Sequence, residues 1–136
     1  MNKLTATAAA AFIAVSLQTS AAEPKEEKTA SGIGITKIRE GTGASPKASD
    51  TVKVHYRGTL VNGKEFDSSY SRGQPTSFPL NRVIPCWTEG MQTMKTGGKS
   101  KLVCPPNLAY GSRGIPGTIP PDSTLVFEVE LLEILK

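Results

Sequence analysis

The clearest hydrophobic pattern in the chain is a strict alternation that begins at residue 52. Apolar Val52, Val54 and Tyr56 alternate there with polar side chains. A period of two indicates a strand with one buried face and one polar face. A few residues later comes Asn62-Gly63, the strongest two-residue signal for a hairpin turn. The sequence therefore predicts a β-hairpin whose returning strand covers residues 64–67.

Weaker β patterns occur on both sides of this hairpin. They cover residues 33–38, 78–80, 99–103 and 124–135. In the last of these stretches, alternate apolar residues such as Phe127 share one face, which predicts a long strand near the end of the chain.

One helix is predicted after the hairpin. Ile84, Trp87, Met91 and Met94 are three or four residues apart, so they align on one face of a helix. Two consecutive glycines, at 97 and 98, would end it. The small, polar residues between this helix and the hairpin, 68–75, predict a loop.

The stretch from residue 105 to residue 121 contains five prolines and three glycines. A loop of this length is usually functional or disordered. Its apolar residues, among them Tyr110 and Ile119, favour an ordered loop that folds over another part of the molecule. Several strands, one short helix and a final strand together predict an α+β fold, in which an antiparallel sheet curls around the helix.

The N-terminal residues have the three parts of a secretory signal peptide: Lys3, an apolar stretch over 4–17, and small residues up to Ala22. The apolar stretch is shorter than the ~20 residues that span a bilayer, which predicts no permanent membrane anchor. We therefore expect a signal peptide at 1–22, a flexible polar tail at 23–30 and one domain at 31–136, located in the periplasm.

Composition limits the function classes. The chain is 38% hydrophobic and 21% charged, which is typical of a globular domain and not of a disordered chain. The net charge of +4 comes from basic residues spread along the sequence, and this argues against nucleic-acid binding. The short polar tail offers no helical dimerisation arm, so a monomer is expected.

The chain carries two cysteines and one histidine, too few for a four-ligand zinc site. Cys86 and Cys104 could pair in an exported protein, or could be two small buried side chains. His55 lies on the polar face of its predicted strand, where a solvent-facing role is expected. No glycine-rich phosphate loop precedes a helix and no nucleophile motif is present, so no metal or cofactor is expected.

Aromatic residues stand at marked positions along the chain, and their spacing alone indicates core rather than site. These residues are Tyr56, Phe66, Trp87, Tyr110 and Phe127.

A set of motifs changes that interpretation when it is taken together. In order along the chain, the segments are VHYRGTL (54–60), NGKEFDSS (62–69), FPL (78–80), VI (83–84), WTEG (87–90), GGK (97–99), LAYG (108–111), IPPDSTL (119–125) and FEVELL (127–132). The set resembles the FKBP family of peptidyl-prolyl cis–trans isomerases, in particular exported bacterial members similar to macrophage infectivity potentiators. The resemblance covers about residue 31 to the end of the chain.

The resemblance implies an apolar pocket between helix and sheet, with no covalent chemistry. Trp87 would form its floor, and Asp67 and Tyr110 its main polar groups, with Tyr56 or Tyr110 as hydrogen-bond partner of Asp67. The backbone amide of Ile84 would donate to a substrate carbonyl. The remaining wall residues would be Tyr56, Phe66, Val83, Ile84 and Phe127, with Ile119 in the overhanging loop.

Three features depart from the family pattern. Cys86 stands where most members have glycine, and the segment between Leu80 and Val83 is short. Thr76 and Ile115 replace residues that are often aromatic and histidine, respectively, in members that bind inhibitors. These last two replacements concern the tightness of binding of macrolides such as tacrolimus more than they concern catalysis. The resemblance also implies that Cys86 and Cys104 lie on neighbouring elements, and a disulfide between them is a hypothesis that follows from this.

The implied substrates are proline-containing unfolded or extended polypeptides, whose X-Pro bonds the protein would isomerise during folding. An alternative from another class is a periplasmic chaperone that holds peptides in the same cleft with little turnover. The two differ in what they need, because catalysis depends on the pocket whereas holding depends on a wider exposed apolar surface.

Overall fold

The computed structural model describes residues 25–135, so the predicted signal peptide at 1–22 lies outside the described residues. Seven strands occur in this range: β1 (Glu26–Lys28), β2 (Gly34–Arg39), β3 (Thr51–Leu60), β4 (Glu65–Ser68), β5 (Thr76–Pro79), β6 (Lys99–Cys104) and β7 (Leu125–Leu135). The α-helices are α1 (Ser69–Arg72) and α2 (Pro85–Gly90). Short 3-10 turns cover Leu80–Arg82, Met91–Thr93 and Pro106–Leu108.

The seven strands form one antiparallel sheet in the order β1-β2-β6-β7-β3-β4, and β5 pairs with β3 beside β4. The pairing of β3 with β7 runs through ten residue pairs and shifts register between Lys53 and Val54. Such a bulge bends the strand and increases its twist, which helps the sheet to curl. The curled antiparallel sheet with a short helix confirms the predicted fold class.

The buried face of β3 follows the alternation in the sequence. Val52, Val54 and Tyr56 are buried, and they join a core that also contains Leu102 and Leu131 from the two strands at the centre of the sheet. Burying these apolar side chains contributes roughly 1.5–3 kcal/mol each to folding.

Helix α2 is shorter than the sequence predicted. Pro85 occupies its first turn, where a missing N–H costs nothing. The chain tightens into the 3-10 turn Met91–Thr93 after Gly90, and the Thr93 hydroxyl donates to the Gly90 carbonyl at 2.6 Å. Met91 and Met94 are nevertheless buried in the core. The spacing of apolar residues therefore identified the buried side chains correctly, although the regular helix ends at Gly90.

Two segments that the sequence predicted to be irregular are ordered. Glu26–Lys28, within the predicted flexible tail, pairs with β2 as strand β1. Its three residues are all exposed, so it is held by backbone pairing and not by a hydrophobic pattern. Within the predicted loop 68–75, Ser68 caps helix α1 by accepting the Ser71 N–H at 3.2 Å.

Neither helix among residues 25–135 has the length and apolar character needed to cross a membrane.

Candidate active site

A cavity of about 430 Å³ opens on the concave side of the sheet. Its walls come from four strands, helix α2, the turn before that helix and the long loop after β6. The lining residues are Tyr56, Phe66, Asp67, Phe78, Arg82, Val83, Ile84, Trp87, Tyr110 and Phe127. The structure thus brings together eight of the nine residues that the sequence assigned to the site.

Trp87 lies at the centre of an aromatic cluster. Its ring centroid is 5.2 Å from Tyr56, 5.4 Å from Phe78 and 5.3 Å from Phe127, and all three pairs are edge-to-face. Phe66 packs against Phe127 in the same way, at 5.6 Å. Such contacts add about 0.5–1.5 kcal/mol each beyond area burial, so the rings hold one another in fixed orientations.

Three polar side chains, Tyr56, Asp67 and Arg72, form a group that we call the inner triad. The Tyr56 hydroxyl donates to Asp67 Oδ2 at 2.5 Å, and Arg72 Nη1 contacts Asp67 Oδ1 at 2.7 Å. Arg72 Nη2 also donates to the Tyr56 hydroxyl and to Thr76 Oγ1, both at 3.2 Å. Both oxygens of the carboxylate are therefore hydrogen-bonded.

The inner triad keeps Asp67 ionised and Tyr56 neutral. Burial alone would raise the pKa of Asp67, but hydrogen bonds from Tyr56 and Arg72 outweigh it and the pKa falls below its ordinary value. Burial and the bond to Asp67 raise the pKa of Tyr56. Of the two expected partners for Asp67, the structure selects Tyr56. Tyr110 makes no hydrogen bond to Asp67 among the described residues, although burial and then the Asp67 charge raise the Tyr110 pKa.

Several donors at the cavity have no partner within residues 25–135. The Ile84 N–H donates to no carbonyl or side chain, whereas the Ile84 carbonyl accepts from the N–H groups of Trp87 and Thr88. The indole Nε1–H of Trp87 is buried without a hydrogen bond. The Tyr110 hydroxyl is also unpaired, on a residue that is 40% exposed. The Ile84 N–H and the Tyr110 hydroxyl can therefore donate to a carbonyl oxygen in the cavity, whereas the Trp87 N–H is enclosed by protein atoms.

Ile119, which the sequence placed over the pocket, is not among the residues that line it. It is 2% exposed and lines an adjacent groove with Leu60, Lys64 and Arg113. Its backbone pairs with Ile115 in both directions at 2.8 Å, which folds the long loop back on itself. The loop reaches the main cavity through Tyr110 instead.

Phe78 and Arg82 line the cavity and were missed as site residues. Phe78 had a usable signal, because it belongs to a predicted strand and an FKBP-like motif. Arg72 was missed too, since it lies in a segment that the sequence predicted to be a loop. Nothing in the pattern around Arg82 distinguishes it from an ordinary surface cation.

Cys86 and Cys104 form a disulfide, with their Cα atoms 5.7 Å apart. Both cysteines are fully buried. The bond joins the first turn of α2 to the end of β6, and therefore ties the residue before Trp87 to the sheet.

The chemistry available here is binding and orientation. Within the part of the chain that the structure describes, no cluster of three or more histidine, cysteine or acidic side chains could hold a metal ion. Apolar rings surround the cavity, and its free donors match the carbonyl groups of a peptide. Such a site can bind an extended peptide and change the polarity around one of its amides.

Comparisons with known proteins give one consistent family. Residues 43–132 match FKBP_C, described as FKBP-type peptidyl-prolyl cis-trans isomerase. The chain is 59% identical over 114 residues to the FKBP-type peptidyl-prolyl cis-trans isomerase FkpA of Escherichia coli K12, covering 83% of this chain and 42% of FkpA. It thus spans less than half the length of that relative.

Solved structures agree. The crystal structure of FkpA from Escherichia coli superposes with a TM-score of 0.79 at 52% identity, covering 91% of this chain and 58% of that one. A peptidyl-prolyl cis-trans isomerase from Pseudomonas syringae pv. tomato superposes with a TM-score of 0.78 at 38% identity, covering the whole of both chains.

Proposed function

Since the chain belongs to the FKBP-type peptidyl-prolyl cis–trans isomerase family, we propose that it accelerates rotation about X-Pro bonds in unfolded or extended polypeptides. The observation that carries the proposal is the cavity itself, in which aromatic rings surround a hydrogen-bonded carboxylate and unpaired donors. The adjacent groove that Ile119 lines has no aromatic ring and no carboxylate in its walls.

Rotation about an X-Pro bond is opposed by amide resonance, with a barrier of about 18–20 kcal/mol. No covalent bond to the substrate needs to form or break, so the site needs no nucleophile. In the twisted transition state the amide loses its charge separation and becomes less polar. An apolar cavity that excludes water therefore favours the twisted amide over the planar, hydrated one.

The residues divide this work between them. Trp87, Phe66 and Phe127 provide the apolar surface against which the proline ring lies. The Ile84 N–H and the Tyr110 hydroxyl orient the peptide by donating to its carbonyls. Asp67 fixes the Tyr56 ring through the inner triad, so its role is to position a wall of the cavity. Val83 completes that wall beside Ile84.

The test is the cis-to-trans exchange rate of Ala-Leu-Pro-Phe, measured by exchange NMR so that no coupling protease can digest the protein. We expect a rate proportional to protein concentration. Phe66→Ala and Tyr110→Ala should each lower kcat/KM by about tenfold or more, equivalent to at least about 1.4 kcal/mol of transition-state stabilisation. Asp67→Ala should also lower it.

The matched control is Val61→Ala, which removes an exposed apolar side chain outside the cavity. It should leave kcat/KM unchanged. A folded, disulfide-bonded protein without any acceleration would refute the isomerase and leave a peptide-binding chaperone in its place. Full activity of Asp67→Ala would remove the inner triad from the mechanism.

The proposal extends to location and assembly. The signal-peptide pattern at 1–22 and the disulfide support export to the periplasm. Cell fractionation would test this, and finding the uncleaved chain in the cytoplasm would refute it. We further propose a monomer, to be tested by light scattering, and a macrolide such as tacrolimus as competitor for the same cavity.

A further inference from the structure

We infer that the cavity selects prolines flanked by acidic residues, and that Arg82 is the side chain that makes this selection. The inference rests on the proposed function, because it names the substrate class of the same site. It concerns a residue for which the sequence pattern offers no site signal.

Arg82 is a charged group at the cavity with no partner of its own. It is exposed, it lines the cavity, and it forms no ion pair or hydrogen bond within residues 25–135. The other charged residue of the lining, Asp67, is already bound by Arg72 at 2.7 Å and by the Tyr56 hydroxyl. Arg82 is therefore the cavity charge that remains available to a bound peptide.

The backbone that carries Arg82 is firmly held. Its 3-10 turn begins at Leu80, whose side chain is fully buried. The Leu80 N–H donates to the Asp50 carbonyl at 2.9 Å, and the Leu80 carbonyl accepts the Thr88 hydroxyl at 2.6 Å. The backbone of the turn is therefore fixed at the cavity, so only the Arg82 side chain loses conformational freedom when the guanidinium pairs with a ligand.

Arg82 is also close in sequence to the proposed peptide anchor. Only Val83 separates it from Ile84, whose N–H is free to bind a substrate carbonyl. A peptide held at that amide brings the side chains next to its proline towards the guanidinium. A glutamate or aspartate there gains a charge-assisted contact that a glutamine cannot match in strength.

The neighbouring groove has the same sign of charge. Lys64 and Arg113 line it, and neither forms an ion pair among the described residues. The β3–β4 hairpin and the long loop contribute to both concavities, through Phe66 and Tyr110 in one case and Lys64 and Arg113 in the other. A chain that leaves the cavity in this direction meets further positive charge.

The experiment compares two blocked peptides, Ala-Glu-Pro-Glu and Ala-Gln-Pro-Gln, which differ in charge and hardly in shape. Their kcat/KM values are measured by exchange NMR at low and high salt, with Ala-Leu-Pro-Phe as the reference for basal activity. At an ionic strength of about 0.01 M we expect the acidic peptide to be favoured by about two- to fivefold, the range of a single exposed ion pair. At about 1 M salt the preference should disappear.

Variants separate a local contact from the overall charge. In Arg82→Gln the ratio of the two peptides should fall to about one, and in Arg82→Glu it should invert. Lys101→Gln removes the same charge from the outer face of β6 and should retain the preference. A ratio near one in the unmodified protein, or a preference that survives in Arg82→Gln, would overturn the inference.

A measurement of peptide binding tests the inference without relying on catalytic turnover. If Ala-Leu-Pro-Phe is not isomerised at all, the proposed function fails, and the two charged peptides are then compared by their dissociation constants. The fluorescence of Trp87, the single tryptophan of the chain, reports binding at the cavity. Tighter binding of the acidic peptide, lost in Arg82→Gln, supports the inference, whereas equal affinities contradict it.

Discussion

Two groups of side chains with the same chemistry lie on opposite faces of the sheet. In the inner triad, a tyrosine hydroxyl donates to a carboxylate that an arginine also binds. The Tyr56 ring of this group is 5% exposed and packs edge-to-face against Trp87 and Phe78. The triad is therefore attached to the wall of an apolar cavity.

An outer triad repeats the arrangement with Tyr70, Glu130 and Arg39. The Tyr70 hydroxyl donates to Glu130 Oε1 at 3.2 Å, and Arg39 contacts Glu130 Oε2 at 2.8 Å. The Tyr70 ring is 41% exposed and stacks on His55, with centroids 4.6 Å apart. It is not among the residues that line the main cavity.

The difference comes from a single feature of strand β3. Consecutive residues of a strand point to opposite faces, so His55 and Tyr56 are separated by the sheet although they are neighbours in sequence. The comparison teaches that the tyrosine–carboxylate–arginine group is not itself the site. Concave shape and aromatic walls make the inner group functional in our account, while the outer group supports the fold.

The largest expected loss of stability comes from removing the disulfide between Cys86 and Cys104, which lies on the side of the sheet that holds the cavity. The disulfide closes a loop between residues 18 positions apart, and a cross-link of this size stabilises a protein by about 3 kcal/mol. We expect a double variant, Cys86→Ala with Cys104→Ala, to lose about that much in urea unfolding. Trp87 fluorescence should report the loosening of the inner face, because Trp87 follows Cys86 in α2.

Reductant provides the control for the disulfide. The unmodified protein should lose stability under a strong dithiol, and the double variant should not respond. Equal stability of the double variant and the unmodified protein would show that the disulfide does not hold α2 against β6.

Alanine substitutions at two glycines, Gly58 and Gly63, distinguish a change in the cavity from a general loss of stability. A Cβ at Gly58 would lie 2.6 Å from Phe66 Cζ and 2.8 Å from Phe127 Cε1, so Gly58→Ala must displace the rings. We expect a loss of about 1–3 kcal/mol in stability from overpacking, and of roughly ten- to a hundredfold in kcat/KM.

Gly63→Ala is the matched control. Gly63 has φ of +93° in the hairpin turn and no atom within 4 Å of an added Cβ. This variant should lose about 1 kcal/mol from backbone strain and keep its activity. Similar activity losses in both variants would mean that general destabilisation, and not ring position, controls the rate.

The smallest expected effect is a pH-dependent contribution of Tyr70, in the outer triad, to the stability of the fold. Burial, followed by the charge and hydrogen bond of Glu130, raises the pKa of Tyr70 to about 12. A raised pKa means that the neutral tyrosine stabilises the fold below its unfolded pKa near 10, and that this contribution disappears as the pH rises towards 12. Because Tyr70 is partly exposed, we expect less than about 1 kcal/mol.

Urea unfolding of the unmodified protein and Tyr70→Phe would measure this contribution. The stability difference between them should shrink as the pH rises from about 9 to about 11. If the difference stays constant over this range, the ionisation of Tyr70 does not contribute to the free energy of unfolding.

Much of this comparison could be predicted from the sequence, because it depends on local patterns. The alternation through His55 and Tyr56 assigned the two faces of β3 correctly. The turn at Asn62-Gly63 formed where it was predicted, and the Lys64 N–H donates to the Asn62 side chain at 2.9 Å. The combined motifs then identified most of the cavity, which hydrophobic periodicity alone would have assigned to the core.

The features that were missed depend on contacts between distant or irregular segments. Helix α1 has four residues, too few to show a helical period, yet it carries Arg72 to Asp67 and Tyr70 to Glu130. Strand β1 is created by its partner strand and not by its own side chains. Ile119 was assigned to the cavity by its motif, but backbone pairing within the loop turns it towards the adjacent groove.

The most direct test of the account compares Tyr56→Phe with Tyr70→Phe in the Ala-Leu-Pro-Phe exchange assay. Each variant removes one hydroxyl that donates to a carboxylate, so the chemical change is the same on the two faces. We expect Tyr56→Phe to lower kcat/KM by about tenfold, corresponding to a hydrogen bond to a charged group of about 1.5 kcal/mol, and Tyr70→Phe to leave it unchanged. Equal effects of the two variants, or a fully active Tyr56→Phe, would contradict the claim that the concave face is the site of isomerisation.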